Sequence, residues 1–329
     1  MKAVNLVCST AFMMSAALII SMITNMAGLF PSDVLTSDIR SNMTILLLAV
    51  MMTISFSRIP YRNLLPTSKG KSVFRSIFLG LILSSSVPLI GYYILKDIPE
   101  FSQYAPGLVF IAAAPFAASV GPLSMVLRGD LEHALRSTVI VYIIALAWIP
   151  FIIWITLGET VKMTGVIKTV VEIIGIPLIL SRLITKFEVS KTTMSIVLNT
   201  IIAFLVWLSV SSANFPGSAL VLGVFFLFAV LRSFGLGASV EIVEKKSGIP
   251  WSQRVTDILM TSYKNKGIAI ALCVATMGPQ TPYAMVVIAT SIVVGVMWVA
   301  FMDGFLFNKK RMTDELFADD LAGIKQTWE

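Results

Sequence analysis

Charged side chains are scarce in this sequence: Asp, Glu, Lys and Arg together make up 13% of its 329 residues, whereas soluble domains contain about 25%. Hydrophobic residues account for 57%. This balance excludes an ordinary soluble domain. The apolar residues form repeated runs of about 20, the length that a helix needs to cross a bilayer. The composition therefore predicts an all-α polytopic membrane protein, with the lipid bilayer as a partner.

Histidine and cysteine are almost absent as well. The chain has one histidine, His133, and two cysteines, Cys8 and Cys273, which are far apart in sequence. Their spacing fits neither a metal site nor a disulfide framework. The apolar runs also lack a second histidine or a paired aspartate, so neither an intramembrane enzyme nor a cofactor or metal is expected. We expect His133 to lie in a loop.

No segment resembles a nucleotide or nucleic-acid site, so nucleic acid is not an expected partner.

Ten segments are predicted to span the membrane. The first is too long for a signal peptide and lacks a small-residue cleavage site, so it counts as a span. The ten segments are 4–30, 43–57, 73–95, 105–127, 134–157, 165–185, 193–212, 216–236, 253–278 and 281–306. Residues 308–329 are expected to form a solvated end or a short amphipathic helix.

The basic residues in the loops and towards the ends of these spans divide unequally between the two sides. With the N-terminus inside, nineteen fall on the inner face and four on the outer face. The inner set is Lys2, Arg58, Arg62, Lys69, Lys71, Arg75, Arg128, Arg136, Arg182, Lys186, Lys191, Arg232, Lys245, Lys246, Arg254, Lys309, Lys310, Arg311 and Lys325; the outer set is Arg40, Lys96, Lys162 and Lys168. Cytoplasmic loops carry such an excess. Both termini are therefore expected in the cytoplasm, and the protein in the plasma membrane.

Ten spans divide into two sets of five, and an odd number per set inverts the second set relative to the first. Secondary transporters are often built as such inverted repeats. The fourth span contains Pro115, Gly121 and Pro122, and the ninth contains the polar run 261–267 at the matching depth. Both helices are expected to be broken. Broken helices inside a membrane are tolerated where they line a cavity or are buried in protein, which favours a substrate site over two simple kinks.

Residues 114–130, APFAASVGPLSMVLRGD, end in a basic residue followed by Gly-Asp. Together with Asn265, Gly267 and the Met51-Met52 pair, they make the chain resemble the bile acid:sodium symporter family of the bile/arsenite/riboflavin transporter superfamily. The resemblance implies ten helices, with helices 4 and 9 crossing, and an organic anion bound between two domains. The implied panel domain is 1–70 and 159–213, the core domain is 71–158 and 214–307, and 308–329 is a cytoplasmic tail.

The sequence departs from the family where the resemblance implies sodium ligands. The family's glutamate falls on Met260 and its ninth-helix glutamine on Lys264. The Ser-Asn pair falls on Val120 and Gly121, a serine on Ala134, and the third-helix glutamine on Leu83, while Thr138 keeps its hydroxyl. Hard cations need oxygen ligands, so sodium-independent transport is expected.

Lys264 is interpreted as a built-in substitute for sodium, because two cations in one pocket of low dielectric would repel each other. It would stabilise unwound carbonyl groups and attract an anion. The alternative is that Lys264 and Lys266 snorkel to an interface. The expected site residues of the substrate and crossing region are Pro115, Ser119, Gly121, Ser124, Thr138, Thr261, Ser262, Lys264, Asn265 and Lys266.

The mode of coupling stays open at this stage. Transport is either facilitative or proton-coupled, with Glu172 and Lys264 as candidates for proton exchange; alternatively, Glu172 only pairs with Lys168, four residues earlier. Other functions are a sodium-coupled symporter, a metalloid or anion efflux carrier, and a receptor or channel without turnover. The metalloid branch is disfavoured because position 114 is alanine, where that branch has a cysteine.

Overall fold

The computed structural model describes residues 7–59, 70–185 and 190–328. Within these ranges the regular structure is helical and comprises thirteen helices. They are α1 (Thr10–Met26), α2 (Ser37–Ser57), α3 (Gly70–Ile77 and Ser84–Leu95, joined by the π-helical turn Phe78–Leu83), α4 (Pro106–Ala113), α5 (Val120–Val126), α6 (Leu131–Leu157), α7 (Met163–Val170 and Ile176–Leu183, joined by the π-helical turn Val171–Gly175), α8 (Lys191–Val210), α9 (Ala219–Val230 and Leu236–Lys246, joined by the π-helical turn Leu231–Gly235), α10 (Trp251–Ser262), α11 (Lys266–Thr276), α12 (Thr281–Phe301, followed by the π-helical turn Met302–Leu306) and α13 (Lys309–Trp328).

Seven helices of the described chain are long and apolar enough to cross a membrane. They are Ser37–Ser57, Ser72–Leu95, Leu131–Leu157, Met163–Leu183, Thr192–Val210, Ala219–Lys246 and Gly278–Leu306. Two shorter helices, Phe12–Met26 and Lys266–Thr276, are also apolar. Large hydrophobic side chains such as Ile19, Ile179 and Leu183 are exposed, as they are on a surface that faces lipid. The prediction of an all-helical, multi-pass membrane protein is confirmed.

The buried centre of the fold is α4, all eight residues of which are buried. It packs against α3, α6 and α12. Gly107 permits the close approach of α12, because a Cβ atom at this position would lie 2.3 Å from the carbonyl oxygen of Ala284. Glycine is the residue that allows such a backbone contact. The N-terminal end of α4 is therefore packed closely against α12.

Helix α9 differs from its predicted boundaries. The span was expected to end at residue 236, but the helix runs to Lys246. Its last two turns are polar, and the carboxylates of Glu241 and Glu244 form ion pairs with Arg311 and Arg75, so the helix continues after the apolar run has ended. In consequence the assignment of Arg232 to the inner face is wrong: it lies near the middle of α9 and is 1% exposed.

His133 is not in a loop. The side chain of Asp130 accepts a hydrogen bond from the His133 backbone N–H and caps α6, so the helix begins at Leu131, earlier than the apolar pattern indicates. The imidazole is buried. Its Nδ1 lies 2.9 Å from the Ser72 hydroxyl and its Nε2 lies 3.3 Å from the carboxylate of Asp257, which also binds Arg75.

Four of the basic residues assigned to the inner face fall in segments that the structure does not describe. Lys2, Arg62, Lys69 and Lys186 lie outside the described residues, as do residues 4–6 of the first predicted span.

The C-terminal segment is a twenty-residue helix, α13, rather than a short one. The Glu315 carboxylate binds Lys245 at the end of α9 and lies 2.6 Å from Nη2 of Arg254 in α10. Asp319 accepts a hydrogen bond of 2.7 Å from the backbone N–H of Trp251. The tail is therefore docked against the ends of α9 and α10.

The Glu315 contacts predict that docking depends on pH. Burial favours the neutral acid, but hydrogen bonds from Lys245 and Arg254 outweigh it, and the pKa of Glu315 is lowered. A lowered pKa stabilises the docked tail above the ordinary pKa of glutamate, and this contribution is lost as pH falls through the lowered value.

Glu315→Gln should weaken docking by about 1 kcal/mol at neutral pH, or about fivefold, measured as faster limited proteolysis of the tail. Asp314→Asn, at an exposed neighbour, is the control. Equal cleavage of Glu315→Gln and wild type would show that these ion pairs do not hold the tail.

Candidate functional site

Two interruptions in the helices lie at the positions expected from the sequence. The first separates α4 from α5 and comprises residues 114–119; the second separates α10 from α11 and comprises residues 263–265. Pro115 has no N–H and forces the preceding residue out of the helical conformation. Ala114 accordingly has φ −63° and ψ 139°. At the second interruption, Tyr263 is also outside the helical conformation, with φ −119° and ψ 84°.

The two interruptions pair with each other. The N–H of Ala117 donates to the carbonyl of Tyr263, and the N–H of Asn265 donates to the carbonyl of Pro115, both at 2.8 Å. These bonds form an isolated antiparallel bridge between Phe116 and Lys264. We name residues 114–119 and 263–265 the crossing. The bridge satisfies backbone groups that would otherwise be unpaired at this depth.

The ammonium group of Lys264 lies at the centre of the crossing. The side chain is 1% exposed, and Nζ donates three hydrogen bonds: to the carbonyl of Ala114 at 2.6 Å, the carbonyl of Ala112 at 3.1 Å and the hydroxyl of Ser85 at 3.0 Å. An ammonium has three donors, so all are used. The geometry does not fit snorkelling, because the side chain points into the protein.

The acceptors of Lys264 lie at the C-terminal end of α4. The last carbonyl groups of a helix have no partner within it and carry the negative end of its dipole, where a cation is stabilising. Ser85 of α3 completes the group by donating to the carbonyl of Ala112 at 2.6 Å. No sequence pattern pointed to Ser85, because a serine in an apolar span commonly bonds to its own helix.

Asn265 ties the crossing to α6. Its side-chain oxygen caps α11 by accepting from the N–H of Ile268 at 3.1 Å. Its side-chain nitrogen donates to the hydroxyl of Tyr142 at 2.8 Å, and that hydroxyl donates to the carbonyl of Phe116 at 2.8 Å. The family motif pointed to Asn265, whereas Tyr142 is one of several aromatic residues in apolar spans and had no distinguishing pattern.

Lys266 has a different environment. Its Nζ is buried and has no hydrogen-bond partner among the described residues. It lies 5.8 Å from the centre of the Tyr263 ring, a cation–π distance. Ser119, another expected site residue, is the last residue of the first interruption.

The other expected site residues are not partners of Lys264. Thr138, Thr261 and Ser262 each donate to a carbonyl of their own helix. Ser124 accepts from Thr256, and Gly121 packs against the Leu135 side chain.

Where the resemblance implies sodium ligands, the structure has apolar packing. Val120, Ala134 and Met260 are each fully buried and belong to one hydrophobic cluster, with Leu83 packed against it. These side chains have no oxygen to offer a hard cation. The carbonyl groups of Ala112 and Ala114 are bonded to Lys264 instead.

A cavity of about 750 Å³ lies between α2 and α7 and reaches Ala275 of α11. Its polar lining includes Asn42, Thr53 and Thr169. It also includes Lys168 and Glu172, whose charged groups are 3.8 Å apart. Glu172 therefore pairs with Lys168, as in the alternative interpretation of this residue.

Comparison with known families identifies the chain. The family model described as the Sodium Bile acid symporter family matches residues 43–235, more than half of the sequence and including the first interruption. The search of curated proteins gives no significant match. The chain belongs to the sodium bile acid symporter family, a family of membrane transporters.

Proposed function

We propose that this protein carries a small organic anion across the membrane by alternating access and without sodium, with the ammonium of Lys264 in place of the ion. The observation that carries the proposal is the set of three hydrogen bonds from Lys264 at the crossing. A mobile cation beside this ammonium would meet strong repulsion in a medium of low dielectric constant. The apolar residues Val120, Ala134 and Met260 offer it no oxygen ligand.

The proposed architecture is ten spans in two inverted sets of five. Seven spans are the long helices, α1 is the eighth, and the broken pairs α4–α5 and α10–α11 supply the other two. Each broken pair is then the fourth span of its set. The antiparallel pairing of the two interruptions supports this arrangement, because inverted repeats bring corresponding spans together from opposite sides of the membrane.

The proposed division into domains follows the helix contacts. A panel domain of 1–70 and 159–213 has α1 packed on α8 and α2 packed on α7. A core domain of 71–158 and 214–307 has α3 packed on α4, and α9 packed on α10 and α12. Residues 308–329 are the tail. Because the tail binds the ends of α9 and α10, it lies on their side of the membrane, which we propose is the cytoplasmic side of the plasma membrane.

The substrate is proposed to bind between panel and core. The cavity between α2 and α7 has a volume suited to a small organic molecule. Both helices belong to the proposed panel domain, and the core contributes Ala275 of α11 to its wall. On the panel side of the crossing, Met52 of α2 contacts the amide of Asn265. All three donors of Lys264 are engaged, so its ammonium does not hydrogen-bond to the substrate. Its positive charge attracts an anionic substrate at longer range.

Facilitated transport is the favoured mode. Glu172 is paired with Lys168, and Lys264 donates to three acceptors. Both candidates for proton exchange are therefore engaged in other contacts. A proton-coupled carrier is the second mode, and uptake driven by a pH gradient would distinguish it.

Replacing the ammonium should destabilise the crossing. Lys264→Met removes the donor and leaves buried acceptors, each costing about 1–3 kcal/mol, so the melting temperature should fall by at least about 5 °C. Adding sodium should not restore it, because the ligand positions remain apolar. Lys96→Met, at a surface ion pair with Asp97, is the control. A Lys264→Met protein as stable as wild type would show that the ammonium does not stabilise the crossing as a bound cation would.

Uptake into proteoliposomes should not depend on sodium. With a panel of small organic anions, the initial rate should be unchanged when sodium is replaced by choline, because the cation at the crossing is covalently attached. Saturable counterflow should accompany it and separate a carrier from a channel or receptor. A steep dependence of uptake on sodium would overturn the proposal.

A further inference from the structure

Three cationic side chains occupy the interior of the core: Arg232, Lys264 and Lys266. Arg232 is 1% exposed and close enough to both lysines to repel them electrostatically. A cation buried without a counter-charge is among the most costly features that a protein interior can contain. The cluster therefore calls for a negative charge nearby.

The buried carboxylates of the described core are engaged elsewhere. Asp257 binds Arg75 and lies beside His133, and Glu244 binds the same arginine. None of the ion pairs found within the described ranges includes Arg232, Lys264 or Lys266. The described part of the chain therefore supplies no carboxylate partner for this cluster, and a bound anion could supply the negative charge.

Arg232 retains unused hydrogen-bond donors. One nitrogen, Nη2, donates to the hydroxyl of Ser233. The other two, Nε and Nη1, are buried and have no partner among the described residues. The hydroxyl of Ser291, a residue that is 1% exposed, also has no hydrogen-bond partner among the described residues. Buried polar groups are normally satisfied, so these atoms indicate a ligand.

Arg232 and Ser291 line the same small cavity. It lies among α3, α4, α9 and α12, has a volume of about 10 Å³, and is otherwise walled by apolar side chains such as Leu108, Phe225 and Val287. A volume of this order accommodates a particle of about the size of a water molecule. An organic carboxylate is too large for it.

We propose that this cavity binds a small inorganic anion, of which chloride is the probe, between the guanidinium of Arg232 and the hydroxyl of Ser291. A water molecule would accept the hydrogen bonds but would leave the positive charge uncompensated. A monovalent anion accepts the hydrogen bonds and also compensates the charge. The anion is a resident counter-ion of the core and is distinct from the transported substrate.

The test is thermal unfolding of the purified full chain in detergent, with sodium constant and gluconate replaced stepwise by chloride. Gluconate is too large for the cavity. Chloride should raise the melting temperature saturably, by about 2–4 °C at full occupancy, and bromide should do the same. Arg232→Gln should abolish the response. Ser291→Ala should shift the midpoint to about fivefold higher chloride.

The matched control is Thr290→Val, which removes the adjacent hydroxyl of α12, one that donates to the carbonyl of Val286 and does not line the cavity. Its midpoint should equal that of wild type. If Arg232→Gln does not fold, the chloride midpoints of Ser291→Ala and Thr290→Val are compared, and a higher midpoint in Ser291→Ala alone supports the proposal. Equal stabilisation by chloride and gluconate, or an identical chloride response in these two variants, would overturn the proposal.

Discussion

The structure depends on one set of contacts, in which the ammonium of Lys264 holds the C-terminal end of α4. α4 ends at Ala113, shortly before Pro115, and its last carbonyl groups have no partners within the helix at the buried centre of the protein. Two of these carbonyl groups and the Ser85 hydroxyl bind Nζ of Lys264. The charge, the helix end and the pairing of the two broken spans are therefore parts of one arrangement, since each is unfavourable without the others.

This arrangement has consequences for the mechanism. A transporter that binds a mobile cation gains and loses positive charge at its crossing during each cycle. A lysine cannot leave, so the crossing keeps the same charge with and without substrate. In the proposed mechanism, the core domain then moves relative to the panel domain as one unit, driven by the substrate gradient. A permanent ammonium also adds to the positive charge of the core, because Arg232 and Lys266 lie close to Lys264.

Much of the fold could be predicted from the sequence, for identifiable reasons. Apolar runs set by the thickness of the bilayer located most helices to within a few residues, and Pro115 marked the first interruption because proline cannot continue a helix. The polar run around Lys264 marked the second. The apolar residues at implied ligand positions, such as Met260, favoured the interpretation that lysine replaces the ion.

The remaining features depend on contacts between distant parts of the chain. The length of α9 is set by ion pairs with α3 and α13, which hydropathy does not register, and Arg232 was therefore misplaced. His133 is buried because Asp130 begins α6 early and Asp257 lies opposite. Ser85 and Tyr142 become important only because the crossing lies beside them. No periodicity within a single segment carries such information.

The most direct measurement of whether the ammonium replaces the ion is anomalous diffraction from crystals soaked in thallium, a monovalent cation that can occupy sodium sites. We expect no anomalous peak at the crossing, with side-chain density continuous from Lys264 to the carbonyls of Ala112 and Ala114. An anomalous peak at those carbonyls, with the Lys264 side chain turned elsewhere, would contradict the replacement.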